Sequence, residues 1–436
     1  MQAAASNSFS FRAESFPHLC AAVACSLAVA GMAVFGNTEG LSRIPQAISV
    51  LAVGLAFLAA VLGERLPGIH LSVMAYIGLV AFWGLTMLEA SGVSDLYQRF
   101  LKLSAVALAA HIIFRTPRDL LLLFGIFGST GLVNVALNWG ELSDLSAALS
   151  GGEEFSAGER FAGTFGNANT AGLYATTTLI LALIFFFNAR TRLRWLVLLS
   201  GAVGGLAVVY FTGSRKSMLA LGLTGLFVPW MAAQKGGPGR LRWVRWVVLS
   251  AGTLAFCALL FSKLPYTERL LVQLREGIHA EASSDTRADM LASAIELWRQ
   301  YPLFGCGFEG FARLSGFEVY SHSTLSEVLC NAGVFGMILL GFFYIFPGVQ
   351  LLRLILASAG PEQKGLRVGL LALWLQLVLF SLFGVMYYSG ESLCIYMAIC
   401  GYLQAQSAVK RRPAVAPRLF EPMALRPAEQ RLPPGH

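Results

Sequence analysis

Several stretches of this chain run for roughly 18 to 22 residues with almost no charged side chain, the length an α-helix needs to cross the hydrocarbon core of a bilayer. Each must be helical, because backbone amides in lipid find no water and have to bond within the segment. The spans fall at 18–36, 44–62, 70–90, 97–114, 119–138, 169–188, 195–211, 217–232, 246–262, 327–352, 367–388 and 390–407. Span 97–114 carries Arg99, Lys102 and His111 and is the most polar of the set. The fold class expected is therefore an all-α polytopic membrane protein with about a dozen transmembrane helices. Composition agrees: 56% of residues are hydrophobic and 13% charged, against about a quarter charged in soluble domains.

A formal charge of +8 does not point to nucleic acid, since no basic stretch is interleaved with aromatics. The basic residues instead sort by side. Arg115 and Arg118, Arg190, Arg192 and Arg194, Lys235, Arg240, Arg242 and Arg245, then Arg353, Lys364 and Arg367 occupy alternate loops. Lys410, Arg411 and Arg412 follow the last span. All lie on the cytoplasmic side if both termini are inside, as the positive-inside rule requires. The organisation expected is a cytoplasmic segment 1–17 without a cleavable signal, helices over 18–262, a loop domain at 263–326, helices over 327–407 and a disordered cytoplasmic tail from 408 to 436.

Two outward loops are long. Loop 139–168 is acidic, with Glu141, Asp144, Glu153, Glu154 and Glu159 ahead of Arg160. Loop 263–326 carries six basic and eight acidic residues, and a mixed segment of that length is expected to fold as a small outer domain. Within it, Met290, Leu291, Ala294, Ile295 and Trp298 recur at helical spacing after Ser284 or Asp285 as cap, so a helix is expected over 284–300.

Some residues break the charge rule. Gly-Ser-Arg-Lys-Ser at 213–217 sets Arg215 and Lys216 on the face that should be poor in basic residues. They are either snorkelling anchors or a cation clamp for phosphate, which the planar fork of arginine suits. Arg287, in Ser-Ser-Asp-Thr-Arg-Ala-Asp, reads on its own as a solvated surface residue. His322 stands just before a span and can move a proton near neutral pH; Glu327 either orients it or favours the helix N-terminus. Arg160 precedes Phe-Ala-Gly-Thr-Phe-Gly-Asn-Ala-Asn-Thr-Ala-Gly, where Asn167 and Asn169 offer hydrogen bonds to sugars or phosphates, or Asn169 or Thr170 caps the helix. The glycines of Tyr-Pro-Leu-Phe-Gly-Cys-Gly-Phe-Glu-Gly-Phe, 301–311, permit a tight turn with close backbone approach and are expected to fold the outer segment back onto the membrane. The seven cysteines show no metal-ligand or disulfide-framework spacing.

Taken in order, Arg160 with Gly-Thr-Phe-Gly-Asn-Ala-Asn, Gly-Ser-Arg at 213–215, Arg287 before an amphipathic helix, Pro-Leu-Phe-Gly-Cys-Gly at 302–307 and His322-Ser323 resemble the O-antigen ligase/polymerase superfamily. The resemblance covers roughly 155–350. It implies a metal-independent, GT-C-like glycosyltransferase without cofactor, in the bacterial inner membrane. Such an enzyme moves a glycan from undecaprenyl diphosphate to an acceptor glycan or lipid A–core at the periplasmic face. By position, Arg215 and Arg287 would hold and neutralise the diphosphate, and His322 would contact the acceptor hydroxyl or the diphosphate and could act as base. Arg160, Lys216, Asn167 and Asn169 would contact substrate. The family often has Asn where this chain has Ser323; the His-Ser form and loop 139–168 tilt the reading toward polymerase. A metal-dependent transferase would want paired acids in the first outer loop, where only Glu39 stands. A flippase or transporter would bury its charges mid-membrane rather than at the rim.

Overall fold

The computed structural model describes residues 16–35, 43–62, 68–88, 95–150, 161–165, 167–233, 244, 247–248, 250–252, 255, 282–358, 360–386 and 389–411. Among these residues there are helices and no strand. The helices are α1 (Phe16–Phe35), α2 (Arg43–Leu62), α3 (Leu71–Leu88), α4 (Asp95–Ile113), α5 (Pro117–Leu137), α6 (Trp139–Ser150), α7 (Ala168–Asn188), α8 (Arg194–Thr212), α9 (Arg215–Ala233), α10 (Ala282–Gln300), α11 (Gly310–Leu314), α12 (Thr324–Leu356), α13 (Pro361–Leu382) and α14 (Gly390–Arg411). Seven of the described helices are long and apolar enough to cross a membrane, and the apolar stretches Leu71–Thr86 and Lys216–Ala232 are shorter. The protein is an all-α polytopic membrane protein. Span 246–262 lies largely outside the described residues, as do Arg160, the tail from 412, and the first part of loop 263–326 up to 281.

Lipid and protein faces separate clearly. Val50 and Phe57 of α2 are 76% and 70% exposed, a surface that only a hydrocarbon solvent tolerates. Between α5, α7 and α8 the contact is made by small residues. A Cβ at Gly204 would overlap the backbone of Gly131, and one at Gly201 would overlap the Ala182 side chain. With no hydrophobic drive between helices in lipid, such close approach supplies dispersion contact. It also lets Ser200 Oγ donate across the interface to Ser129 O at 2.7 Å.

Contacts between helix ends sort the bundle into two poles. At one, Gln350 near the end of α12 donates to Ser407 Oγ of α14 at 2.6 Å and meets His70, before α3, at 2.6 Å. Arg367 of α13 donates to Leu354 O at 3.0 Å. Gly401 of α14 packs on the carbonyls of His111 and Phe114, where α4 ends. The basic loops after α4 and α12 therefore share this pole. The opposite pole gathers the starts of α7, α9 and α12 and the ends of α8 and α13, through contacts given below.

Three local expectations are corrected. Loop 139–168 holds a helix, α6, directly after α5. Helix α10 starts at Ala282, ahead of the expected 284, so Ser284 and Asp285 lie inside it. The cap of α7 is Asn167, whose side chain accepts from Asn169 N at 2.8 Å, so neither Asn169 nor Thr170 serves.

Helix α12 is broken at Gly333, which has φ 59° and ψ −154°. The break frees backbone groups that lipid would leave unpaired, and the segment 302–307 takes them up. Cys306 N and Gly307 N donate to Cys330 O and Asn331 O at 2.9 and 3.1 Å. Val334 N and Phe335 N donate back to Pro302 O and Leu303 O at 2.9 and 3.0 Å. Gly305 and Gly307 adopt φ +70° and +86°, and a Cβ at Gly305 would overlap the Asn331–Ala332 backbone. Outside this junction α10 lays Met290, Ala294 and Leu297 against Phe311 and Cys330. Burial of each large side chain there contributes roughly 1.5–3 kcal/mol.

Candidate functional site

The Gly-Ser-Arg-Lys turn is built by packing as much as by sequence. Helix α8 ends on Gly213 in the left-handed region, φ 52°, and α9 begins two residues later at Arg215. Ser214 is fully buried and its Oγ donates to Asn169 Oδ1 at 3.2 Å. A Cβ at Gly172 would overlap Ser217 Oγ, so α7 and α9 touch at their first turns. Phe161 N donates to Phe211 O at 3.1 Å, which docks the residue after Arg160 beside the same turn. Glu141 of α6 shapes that segment by accepting from Ala162 N at 3.0 Å and from Gly163 N at 3.1 Å.

Lys216 reaches across to the end of α13. Its Nζ donates to Phe383 O and stands 5.6 Å from the centroid of the Phe383 ring. The turn after Phe383 is in turn tied to α12. Thr324 Oγ1 donates to Gly384 O at 2.8 Å and accepts from Met386 N at 3.0 Å. The starts of α9 and α12 thus meet through one short turn. That turn is a site element which sequence reasoning missed, because it acts through carbonyls and not through side-chain chemistry.

His322 sits immediately before α12 with φ 59°, a left-handed backbone that is uncommon for a residue with a Cβ. Its flanks hold it there. Ser321 N donates to Glu327 Oε2 at 2.7 Å, and Ser321 Oγ shares a hydrogen bond with Ser326 Oγ at 2.9 Å. Glu327 is 1% exposed and also accepts from Asn331 Nδ2 at 2.9 Å, while Asn331 Oδ1 accepts from Phe311 N at 2.9 Å. Glu327 therefore positions the loop through the Ser321 backbone. Tyr320 packs edge-on against the imidazole at 4.7 Å.

Burial first, then the positive charges of Arg287 and Lys216, hold the His322 pKa below its ordinary 6.5. Arg287 and Lys216 each lie near enough to His322 for their charges to bear on it, with Arg215 next in the chain to Lys216. Asn169 joins the group through Ser214. Asn167 stands at the same helix start, its side-chain oxygen used as the cap. Among the described residues no group of three His, Cys, Asp or Glu side chains gathers as metal ligands.

The depressed pKa has a measurable sign. Neutral imidazole persists below pH 6.5, and protonation costs more in the folded protein than in the unfolded chain. The His322 contribution to stability therefore falls as pH drops from 6.5 through the lowered folded value. If His322 works as the neutral base, the acid limb of the transfer rate lies below pH 6.5. Lys216→Gln removes one repelling charge and should move that limb upward, though not fully, because burial is the larger cause. An acid limb that stays put in the Lys216 variant would remove Lys216 from the site's electrostatics.

Residues 201–341, about a third of the chain, match the family model described as O-antigen ligase. This match supports the O-antigen ligase/polymerase superfamily. The matched stretch contains Arg215, Lys216, Arg287 and His322, and leaves out Arg160, Asn167 and Asn169. No curated protein matches the chain. The O-antigen ligase match supports a ligase/polymerase-type function in general, in a family whose members transfer glycans.

Proposed function

We propose that this protein is a metal-independent glycosyltransferase that moves a glycan from undecaprenyl diphosphate to an acceptor sugar at the periplasmic face of the inner membrane. The reading is carried by Lys216, which holds the Phe383 turn that Thr324 ties to the start of α12 beside His322 at the pole opposite the basic loops, with Arg287 near enough for its charge to bear on the imidazole. A diphosphate leaving group gains negative charge as its glycosyl bond breaks, and preorganised cations aimed at that charge lower the barrier. Arg215 and Arg287 hold the diphosphate, with Lys216 beside them. His322, kept neutral, accepts the proton of the attacking hydroxyl. Asn167 and Asn169, at the start of α7, contact glycan or phosphate, and Arg160, seven residues before Asn167 in the chain, is assigned the same role.

Polymerase is favoured over ligase on the His322-Ser323 form and the sizeable outer loop 139–168; Glu141 in the α6 part of that loop shapes the Ala162–Gly163 segment before α7. The test is reconstituted transfer in proteoliposomes with a lipid-diphosphate glycan donor, offering carrier-linked repeats and lipid A–core as competing acceptors. Extension of the carrier-linked repeat supports polymerase, and product on lipid A–core supports ligase. Arg215→Ala should lose at least about 10²-fold in rate at unchanged protein level. Full activity in that variant would end the clamp assignment.

A further inference from the structure

Cys306 and Cys330 lie 24 residues apart in sequence, yet their Sγ atoms stand 3.4 Å apart at the junction where segment 302–307 docks on the broken helix α12. We propose that these two thiols form a reversible disulfide that staples the segment to α12. The backbone is already in position. Cys306 N donates directly to Cys330 O at 2.9 Å, and with standard backbone bond lengths that contact keeps the two Cα atoms within about 6.8 Å. A disulfide needs about 4.4–6.8 Å between Cα atoms and about 2.0 Å between sulfurs, so side-chain rotation suffices.

The two thiols have different surroundings, and these assign them different steps. Cys306 is half-buried, whereas Cys330 is buried in the cluster of Met290, Ala294, Leu297 and Phe311. The neighbouring Cys330 thiol, helped by the Arg313 charge, holds the Cys306 pKa below the ordinary thiol range. Cys306 is the thiolate that meets an oxidant. It attacks the disulfide of a protein dithiol oxidase or of oxidised glutathione, forming a mixed disulfide and releasing one thiolate. Cys330 loses its proton and attacks Cys306 Sγ, expelling the second thiol. The pair gives up two protons and two electrons, and the oxidant's disulfide becomes two thiols.

The bond would lock a turn that matters to the site. Cys330 is followed by Asn331, which holds Glu327, which in turn fixes Ser321 beside His322. Formation of the disulfide in the cell rests on the outward placement of this pole under Proposed function; formation in the test tube does not.

The test uses the full-length protein, purified in detergent under reductant and then equilibrated with excess oxidised glutathione. After acid quenching, alkylation and digestion, mass analysis should show a peptide pair linked through Cys306 and Cys330 as the main species. Reductant should convert it to two alkylated peptides and lower the apparent Tm by several degrees, with no such drop in Cys306→Ser. Should Cys306→Ser fail to fold, the linked peptide from the wild-type protein decides alone. Two alkylated thiols, or Cys306 trapped as a glutathione adduct with Cys330 free, overturns the proposal. Linkage in vitro with both thiols free in acid-trapped cells would uphold the pair and overturn the outward placement instead.

Discussion

Replacing Arg287 by alanine is expected to lower glycan transfer by roughly 10²–10³-fold, which corresponds to about 2.7–4 kcal/mol of transition-state stabilisation. Thermal stability should hardly change. Arg287 is exposed on α10, and the buried stripe of that helix is Met290, Ala294 and Leu297. An exposed arginine of this kind contributes little to folding, so a large loss of rate has to come from chemistry. Its charge already acts on His322, and under the proposed function the same charge would meet the diphosphate. Arg287→Lys keeps the charge but not the planar fork, and should restore only part of the rate. The measurement is single-turnover transfer from a lipid-diphosphate glycan at saturating acceptor, with Tm recorded for each variant. A rate within about threefold of wild type at equal Tm would remove Arg287 from the site.

Hydropathy made the membrane helices legible, because a run such as α7 has no other way to satisfy its backbone in lipid. Helical spacing located α10, but only part of its buried stripe. Met290 and Ala294 face the core as expected, while Leu291 is 51% exposed and Leu297 takes the remaining place. The contact with α11 and α12 is narrow, and its direction is set by partners that periodicity does not name. Charge bookkeeping found Arg215 and Lys216, since a basic pair on the wrong face needs a reason. Arg287 was different: in its own stretch it looked like any surface arginine. Only the fold shows its charge reaching His322 together with that of Lys216. The pairing of Cys306 with Cys330 was equally hidden, since it depends on where α12 breaks.

That break yields the second large prediction. Gly333→Ala is expected to destabilise the protein by roughly 3–6 kcal/mol, against intrinsic helix propensity, which favours alanine over glycine by about 1 kcal/mol. The opposing terms are larger. At φ 59° and ψ −154° the backbone is in a region essentially reserved for glycine, and forcing another residue there costs about 1–3 kcal/mol. The new Cβ would overlap the Leu303 carbonyl and crowd Pro302 O at 2.7 Å. Those two carbonyls accept from Phe335 N and Val334 N, and each buried group left unpaired costs about 1–3 kcal/mol more. Gly341→Ala provides the control within α12, because a Cβ there meets nothing within 4 Å. It should be neutral or slightly stabilising. Thermal unfolding of both variants in the same detergent, followed by intrinsic fluorescence, separates the two effects. If Gly333→Ala melts with the wild type, the docking of 302–307 does not depend on the break, and the chain from Asn331 through Glu327 to the His322 loop would have to be held by the outer helices alone.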